Sequence, residues 1–341
     1  MERSISVALA GDTMLGRGMN EVFRRSGATY PWGNVSPLLQ EADVTIVNLE
    51  CVIAETGEPW RPDSKVFHFR SDPVATDALH AAGIDCVTIA NNHVLDYGQD
   101  ALMEMLRLFD AAGIRHAGAG RNLEEARRPA LLESHGITVA VIAATDNEPE
   151  WLATADRPGT NWLPISMEDR VLTPLGDAIQ TCRTQGADLI IFSNHWGPNM
   201  VERPSPRFRE FARAVIDAGA DVYFGHSAHL FQGIELYRGR PIFYDAGDFV
   251  DDYAIDPHLR NDHALLFRLD ITPSSIERIE LIPLIISRCQ VNVAEGSEKR
   301  TIGERIRRLA AEFQTDICWR DTTLDVSLGK SSRAVATRAE R

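Results

Sequence analysis

Leu189-Ile190-Ile191-Phe192-Ser193-Asn194-His195-Trp196 is an apolar run that ends on metal-binding side chains. Three other stretches are built the same way: 5–10 runs into Gly11-Asp12, 86–90 into Asn91-Asn92-His93, and 222–224 into Gly225-His226-Ser227-Ala228-His229. Short apolar runs bounded by turn residues read as buried strands. Strands of one parallel sheet end on the same edge, which is where open α/β sheets bind ligands. Four such ends in one sheet bring donors for a hard cation together from distant parts of the chain. The pattern predicts a divalent-metal enzyme.

The bulk numbers fit this. A chain of 341 residues makes one large domain or two ordinary ones. Hydrophobic content of 44% and charged content of 25% are those of a globular protein. A net charge of −14 argues against a nucleic-acid groove. An anionic substrate stays compatible, because a bound cation reverses the local field. Cys51, Cys86, Cys182, Cys289 and Cys318 form no CxxC pair and are odd in number, which suits a reducing compartment; Cys86 and Cys182 read as buried thiols. The N-terminus enters a strand without signal-peptide features, and no apolar window is long enough to span a membrane, so the expected location is cytoplasmic.

Apolar runs alternate with amphipathic segments, the pattern of α/β layering. Strands are expected over 5–10, 44–48, 85–90, 137–143 and 189–193, and helices over 20–25, 72–82, 99–112, 172–185 and 206–218. Asp72-Pro73 reads as an N-cap followed by proline at the first helical position. Ala82-Gly83, Ala112-Gly113 and Ala218-Gly219 place glycine where a helix wants a left-handed C′ residue. After Gly225 strands follow quickly, over 231–237, 241–244, 264–269 and 276–282, with Arg238-Gly239 as a hairpin turn; this predicts a second, largely antiparallel sheet. The expected division is a main domain over 1–290, a linker and helical extension over 291–329, and a disordered tail over 330–341.

Each motif taken alone also describes an ordinary loop. Asp12 is a carboxylate between two glycines at a strand end, or an N-cap. Glu50 follows a strand in Val47-Asn48-Leu49-Glu50. His93 and Asp96 are three apart, so one helical turn brings them together, and an Asp that holds an imidazole fixes its tautomer. His226 and His229 chelate one ion or address two. Asp245, Asp248, Asp251 and Asp252 repel one another unless a cation is near.

The joint order Asp, Glu, Asn-His, His, His-x-x-His is more specific, and it is the order of the calcineurin-like metallophosphoesterase fold. More closely, the chain resembles the CapA family, named for poly-γ-glutamate capsule synthesis proteins. GDTMLGR, ADVTIVNLE, FHFR-SDP, DALHAAGIDCVTIANNHVLDYG, GAGRNLEEARRPALLE, SNHWG, GHSAHLFQGIE and GRPIFYDAGDFVDDY carry the resemblance, over roughly residues 4–285. It implies an α/β sandwich of two sheets with flanking helices. It also implies metal positions at Asp12, Glu50, Asn92, His195, His226 and His229, with His93 as the catalytic histidine. One position departs: the wider fold usually carries His or Asp two residues after the first Asp, and here stands Met14. A thioether does not replace a hard ligand, so one ion is as compatible as two. Oxygen and imidazole donors suit Mn²⁺, Fe²⁺, Zn²⁺, Mg²⁺ or Ca²⁺.

Three functions follow as expectations. The first is hydrolysis of a phosphoester or a γ-glutamyl or peptide amide, with Arg17, His68, Arg70 and Trp196 holding an anionic small molecule, polyglutamate or a peptide. The second is epimerisation at a peptide Cα, as in the lasso-peptide epimerases that resemble the same family; its proton carriers are His93–Asp96 and His226 or His229 with Asp248, and Trp32, Trp60, Trp151 and Trp196 are candidates to line the peptide groove. The third is a non-catalytic part of polymer synthesis or export.

Overall fold

The computed structural model describes residues 3–60 and 65–328, so the tail expected at 330–341 lies outside the described residues. Its strands divide between two sheets. The first runs Ile317–Arg320, Thr323–Val326, Ser275–Ser287, His263–Thr272, Ile5–Thr13, Val44–Leu49, Cys86–Thr88, Arg115–Ala117, with Asp248–Val250 beside Ile5–Thr13 and Gln290–Val293 beside Ser275–Ser287. The second runs Ile234–Tyr237, Arg240–Phe243, Val222–His226, Leu189–His195, Ile137–Thr145, Ala130–Ser134.

The central strands of both sheets are buried on both faces, and this is why they read as unbroken apolar runs. In Ile5–Thr13, Val7 and Leu9 face the core between the sheets, with Ile46, Val141, Ile191, Phe224 and Phe267. Ala8 and Ala10 face the opposite way, towards Phe23, Leu79, Met105 and Phe109 of the helices Gly18–Ser26, Val74–Ala81 and Gly98–Ala112. On the far side, Ile142, Ile190 and Phe192 pack on Val171, Leu175, Phe211 and Val215 of the helices Asp169–Thr184 and Pro206–Asp217. The result is the two-sheet sandwich with flanking helices that the family resemblance implies. Burying one Leu or Phe side chain is worth roughly 1.5–3 kcal/mol. Helix propensities differ by at most about 0.7 kcal/mol between ordinary residues. Packing between layers therefore dominates the stability.

The sheet assignment differs from the expectation. Asp12 lies at the end of a strand of the first sheet and His93 follows another, while His195 and His226 end strands of the second, so the predicted donors do not share one sheet. The antiparallel strands His263–Thr272 and Ser275–Ser287 are no separate layer: they extend the N-terminal parallel sheet, with Val7 opposite Leu269. Ile234–Tyr237 and Arg240–Phe243 join the other sheet through the Arg238-Gly239 turn, where both φ angles are positive (52° and 77°). Local pattern is alike in both sheets, and pairing is decided by contacts far apart in sequence.

Smaller differences have local causes. The helix after Asp72-Pro73 starts at Val74 with Pro73 in the cap position and no side-chain cap, and the Asp72 carboxylate accepts from Arg24 Nη1 at 3.2 Å. Gly83 and Gly113 do take left-handed φ, 74° and 72°, as the helix–glycine–strand joints predict. Within the linker and helical extension expected over 291–329, the helix begins early, at Gly296–Ala311, and the chain then makes a hairpin, Ile317–Arg320 with Thr323–Val326, that pairs Leu281 with Leu324 and buries Leu324.

Candidate metal centre

The two sheets bring their C-terminal strand ends together around Asp12. Asp12 sits at the end of Ile5–Thr13, its N–H donated to Gly247 O at 2.9 Å. That close approach needs Gly11, since a Cβ there would run into the Gly247 carbonyl. From the other sheet, His195 and His226 stand opposite each other in register. Their Nδ1 atoms are 3.0 Å apart and lie 3.7 and 3.6 Å from Asp12 Oδ1. His229 Nδ1 is 3.7 Å from Asp12 Oδ2 and 2.8 Å from Asp248 Oδ1. Glu50 Oε1 is 3.7 Å from His195 Nε2.

Two groups of donors result, Asp12–His195–His226 and Asp12–Glu50–His229–Asp248, the ligand atoms in each within 4.8 Å of one another. Asp12 belongs to both. Buried polar atoms are almost always hydrogen-bonded. Here Glu50 Oε1, His195 Nε2 and Asp248 Oδ2 are buried with no hydrogen-bond partner, as is Asn92 Oδ1. Carboxylate and imidazole atoms left open in this way fit a divalent cation. The outer contacts also fit. His226 Nε2–H donates to Ser193 Oγ at 2.8 Å, which turns Nδ1 towards Asp12. Asn48 Nδ2 donates to Asp12 Oδ1 at 2.7 Å.

Charge is concentrated and dry. Burial, reinforced by Asp12, drives the Glu50 carboxyl well up. Burial does the same to Asp248 against the pull of His229. Burial also raises Asp12, but His195, His226 and His229 outweigh it and hold that carboxyl below the usual range. Burial pushes the His226 imidazole down to about 3. His229 goes the other way: burial lowers it, yet Asp248, Glu50 and Asp12 together raise it well above its ordinary value.

His93 adjoins this cluster, its Nε2 3.9 Å from Glu50 Oε1. Its Nδ1–H donates to Asp96 Oδ2 at 2.6 Å, so the spacing of three does bring the pair together. Phe69 stacks on the imidazole at 3.8 Å between centroids, and its N–H donates to the same Asp96 oxygen at 2.6 Å. Lys65 is the residue that sequence reasoning missed. Its Nζ lies 3.3 Å from Asp96 Oδ1, 3.3 Å from Glu148 Oε1, and donates to Asn92 O at 2.6 Å. Burial lifts Asp96 to about 7 even with Lys65 opposing. Burial and then Lys65 push His93 well below its ordinary value, so the imidazole rests neutral.

Residues 6–253 match the model of the family described as bacterial capsule synthesis protein PGA_cap. The chain belongs to this family. Over 94% of its length this PGA_cap member is 32% identical to a probable polyglutamine synthesis accessory protein of Mycobacterium tuberculosis, covering 96% of that protein. Over 86% of its length it is 29% identical to the capsule biosynthesis protein CapA of Bacillus anthracis, covering 69% of that chain. The solved 5′-nucleotidase of Candida albicans aligns with 92% of this chain and 59% of its own at 12% identity and a TM-score of 0.42. Among the described residues no helix is long and apolar enough to cross a membrane.

The remaining expected residues of this PGA_cap member fall in several places. Arg17 reaches the rim, its guanidinium over Phe67 and Phe69 and 3.5 Å from Asp252. Arg70 lies over Tyr97, and His68 packs edge-on to the same ring with a nitrogen against Trp60 O. Trp196 is 3% exposed, packs on Phe208 and Tyr223, and donates Nε1–H to Tyr244 O; the little that it shows walls a small cavity with Val201, Phe208 and Gln232. Trp32 is core, bonded to Ala78 O. Trp60 and Trp151 meet edge to face, with Lys65 Nζ 5.0 Å above Trp151. Of the two expected partners of Asp248, His229 is the one that pairs with it, while His226 pairs with Ser193 and His195. Met14 is fully buried in the core under the flanking helices, its sulfur accepting Gly16 N–H at 3.1 Å.

Proposed function

We propose that this chain is a divalent-metal-dependent hydrolase of a phosphoester or of a γ-glutamyl or peptide amide, in or around polyglutamate metabolism. The observation that carries the reading is the set of unpartnered, buried carboxylate and imidazole atoms around Asp12, next to an oriented His93. Relatives named for polyglutamine synthesis and for capsule biosynthesis support a glutamyl- or glutaminyl-type polymer or its fragments as the substrate class.

Asp12, Glu50, Asn92, His195, His226 and His229 hold the ion in this reading. A bound divalent cation supplies Lewis acidity and activates water for attack on the electrophile. Asp96 accepts Nδ1–H of His93 and leaves Nε2 facing the centre. An anionic group entering there favours the imidazolium, and His93 then delivers its proton to the leaving oxygen or nitrogen. Phe69 and Tyr253 wall this side, Tyr253 donating its hydroxyl to Glu50 Oε2 at 3.1 Å. Arg17 is the cation best placed to receive a substrate carboxylate or phosphate.

The test is turnover of an aryl phosphate and of a γ-glutamyl anilide by Mn²⁺-loaded protein. Release of product that is lost on chelation and restored by the metal is expected. Absence of release on both, with metal bound, would sink hydrolysis of these bonds.

The second His–Asp pair, His229–Asp248, favours one other reading: two proton carriers that remove and return a Cα proton of a peptide. Deuterium entering a peptide Cα from solvent without cleavage distinguishes it. Metal binding with neither outcome leaves the non-catalytic role.

A further inference from the structure

We propose that Asp248 is a metal ligand, supplying from the neighbouring strand the donor that Met14 withholds, so that the centre holds two unlike divalent cations bridged by Asp12. This rests on the metal-dependent reading above and fixes the number and kind of ions in it.

Asp12 and Asp248 are paired residues of adjacent parallel strands. Paired side chains in a sheet project to the same face with their strands about 4.8 Å apart, closer than the roughly 6.6 Å between residues i and i+2 of one strand. A ligand offered from the next strand thus reaches the same ion as one offered two residues along. Met14, the residue two along, is buried and its sulfur is taken by Gly16 N–H. Asp248 is 1% exposed and uses one oxygen only, Oδ1, on His229 at 2.8 Å; Oδ2 is buried with no hydrogen-bond partner. A simple ion pair accounts for Oδ1 and leaves Oδ2 unexplained. Neighbouring ligands on an octahedral ion with bonds of about 2.1 Å are about 3 Å apart, which the His229–Asp248 separation matches.

The two donor groups differ in chemistry. Asp12, Glu50 and Asp248 with one imidazole make an oxygen-rich position suited to Mg²⁺ or Mn²⁺. Asp12 with His195 and His226 makes a nitrogen-rich one suited to Zn²⁺, Fe²⁺ or Mn²⁺. Three buried carboxylates meeting in the first position repel one another until a cation arrives. Asp248 acts there as a ligand, which removes His229–Asp248 from service as an acid-base pair.

The experiment titrates the full chain with Mn²⁺ alone, by calorimetry and by electron paramagnetic resonance. The wild type is expected to bind two ions with an exchange-coupled spectrum. Asp248→Ala is expected to bind one ion as tightly as before and the other at least about tenfold more weakly, with the spectrum of isolated Mn²⁺. Asp248→Asn keeps the side-chain volume and serves if the alanine variant does not fold; the same weakening is expected. Two ions bound with unchanged affinity and coupling in the variant overturn the assignment of Asp248 and leave the metal enzyme standing. A wild type that binds a single ion also overturns it. A wild type that binds no ion overturns the metal-dependent function itself.

Discussion

At the scale of single residues, the proposed hydrolysis concentrates on His93 and what holds it. Its ring is fixed by three independent contacts: Asp96 on Nδ1, the face of Phe69, and the protein wall that leaves the residue 5% exposed. His93→Gln is expected to lower kcat about 10²- to 10⁴-fold, the usual contribution of a positioned acid or base, with Mn²⁺ binding unchanged by calorimetry. Lys65 holds Asp96 and Asn92 and acts on His93 through its charge without a contact between the two, so it is a positioning residue. Lys65→Met keeps the buried stem and removes the charge; kcat is expected to fall roughly 10- to 100-fold while KM for a neutral substrate holds, and an unchanged kcat would show Lys65 to be structural only. Asp12, Glu50, His195, His226 and His229 were legible because each ends an apolar run or follows one closely. Lys65 was not, since it stands in a polar stretch without periodicity, and only closure of the chain over Trp151 brings it to Asp96. Asp248 was legible as an acid but not as a neighbour of Asp12, because that proximity is made by strand pairing.

At the scale of elements, the long central strands and the long helices were readable, because the central strands are buried on both faces, whereas short or edge elements such as Arg115–Ala117, Ala130–Ser134 and the helix Leu123–Arg127 were not. Partition into sheets was not, because a buried strand carries no mark of its partner. The C-terminal hairpin was missed altogether. Its strands are four residues each, and only Ile317, Leu324 and Val326 are buried. Yet Leu324 reaches the core between the sheets with Ile306, Leu309 and Leu281. Leu324→Ala is therefore expected to cost about 2–5 kcal/mol in urea unfolding. A change below about 0.5 kcal/mol, typical of surface positions, would mean that the hairpin is an appendage.

At the scale of the whole molecule, acid weakens the fold at His116 as well as at the centre. This imidazole packs on Phe109, with Asp110 and Glu125 facing it on one side of the balance and Arg121 and Arg128 on the other. Burial is the largest influence and lowers it below its ordinary 6.5, and Nδ1 has no hydrogen-bond partner. The unfolded chain then takes up a proton that the folded one refuses. Stability is full above the unfolded value and is lost as pH falls below about 6.5. The urea midpoint should drop between about pH 7.5 and about pH 5.5, and His116→Phe should drop less, since it keeps the ring and loses the titration. An equal drop in both proteins would clear His116 of any part.

The donors around Asp12 also have a mechanical meaning. Asp12, Glu50 and Asp248 hang from one leaf of the sandwich, and His195, His226 and His229 follow strands of the other. An ion seated between them is a rivet through both leaves, and drawing it out lets them part more easily. At a free cation level one hundred times the dissociation constant, such a rivet adds about 2.7 kcal/mol to the resistance against melting. Differential scanning calorimetry before and after EDTA should register the loss as a lower Tm, even in the His93→Gln protein, whose turnover is already reduced.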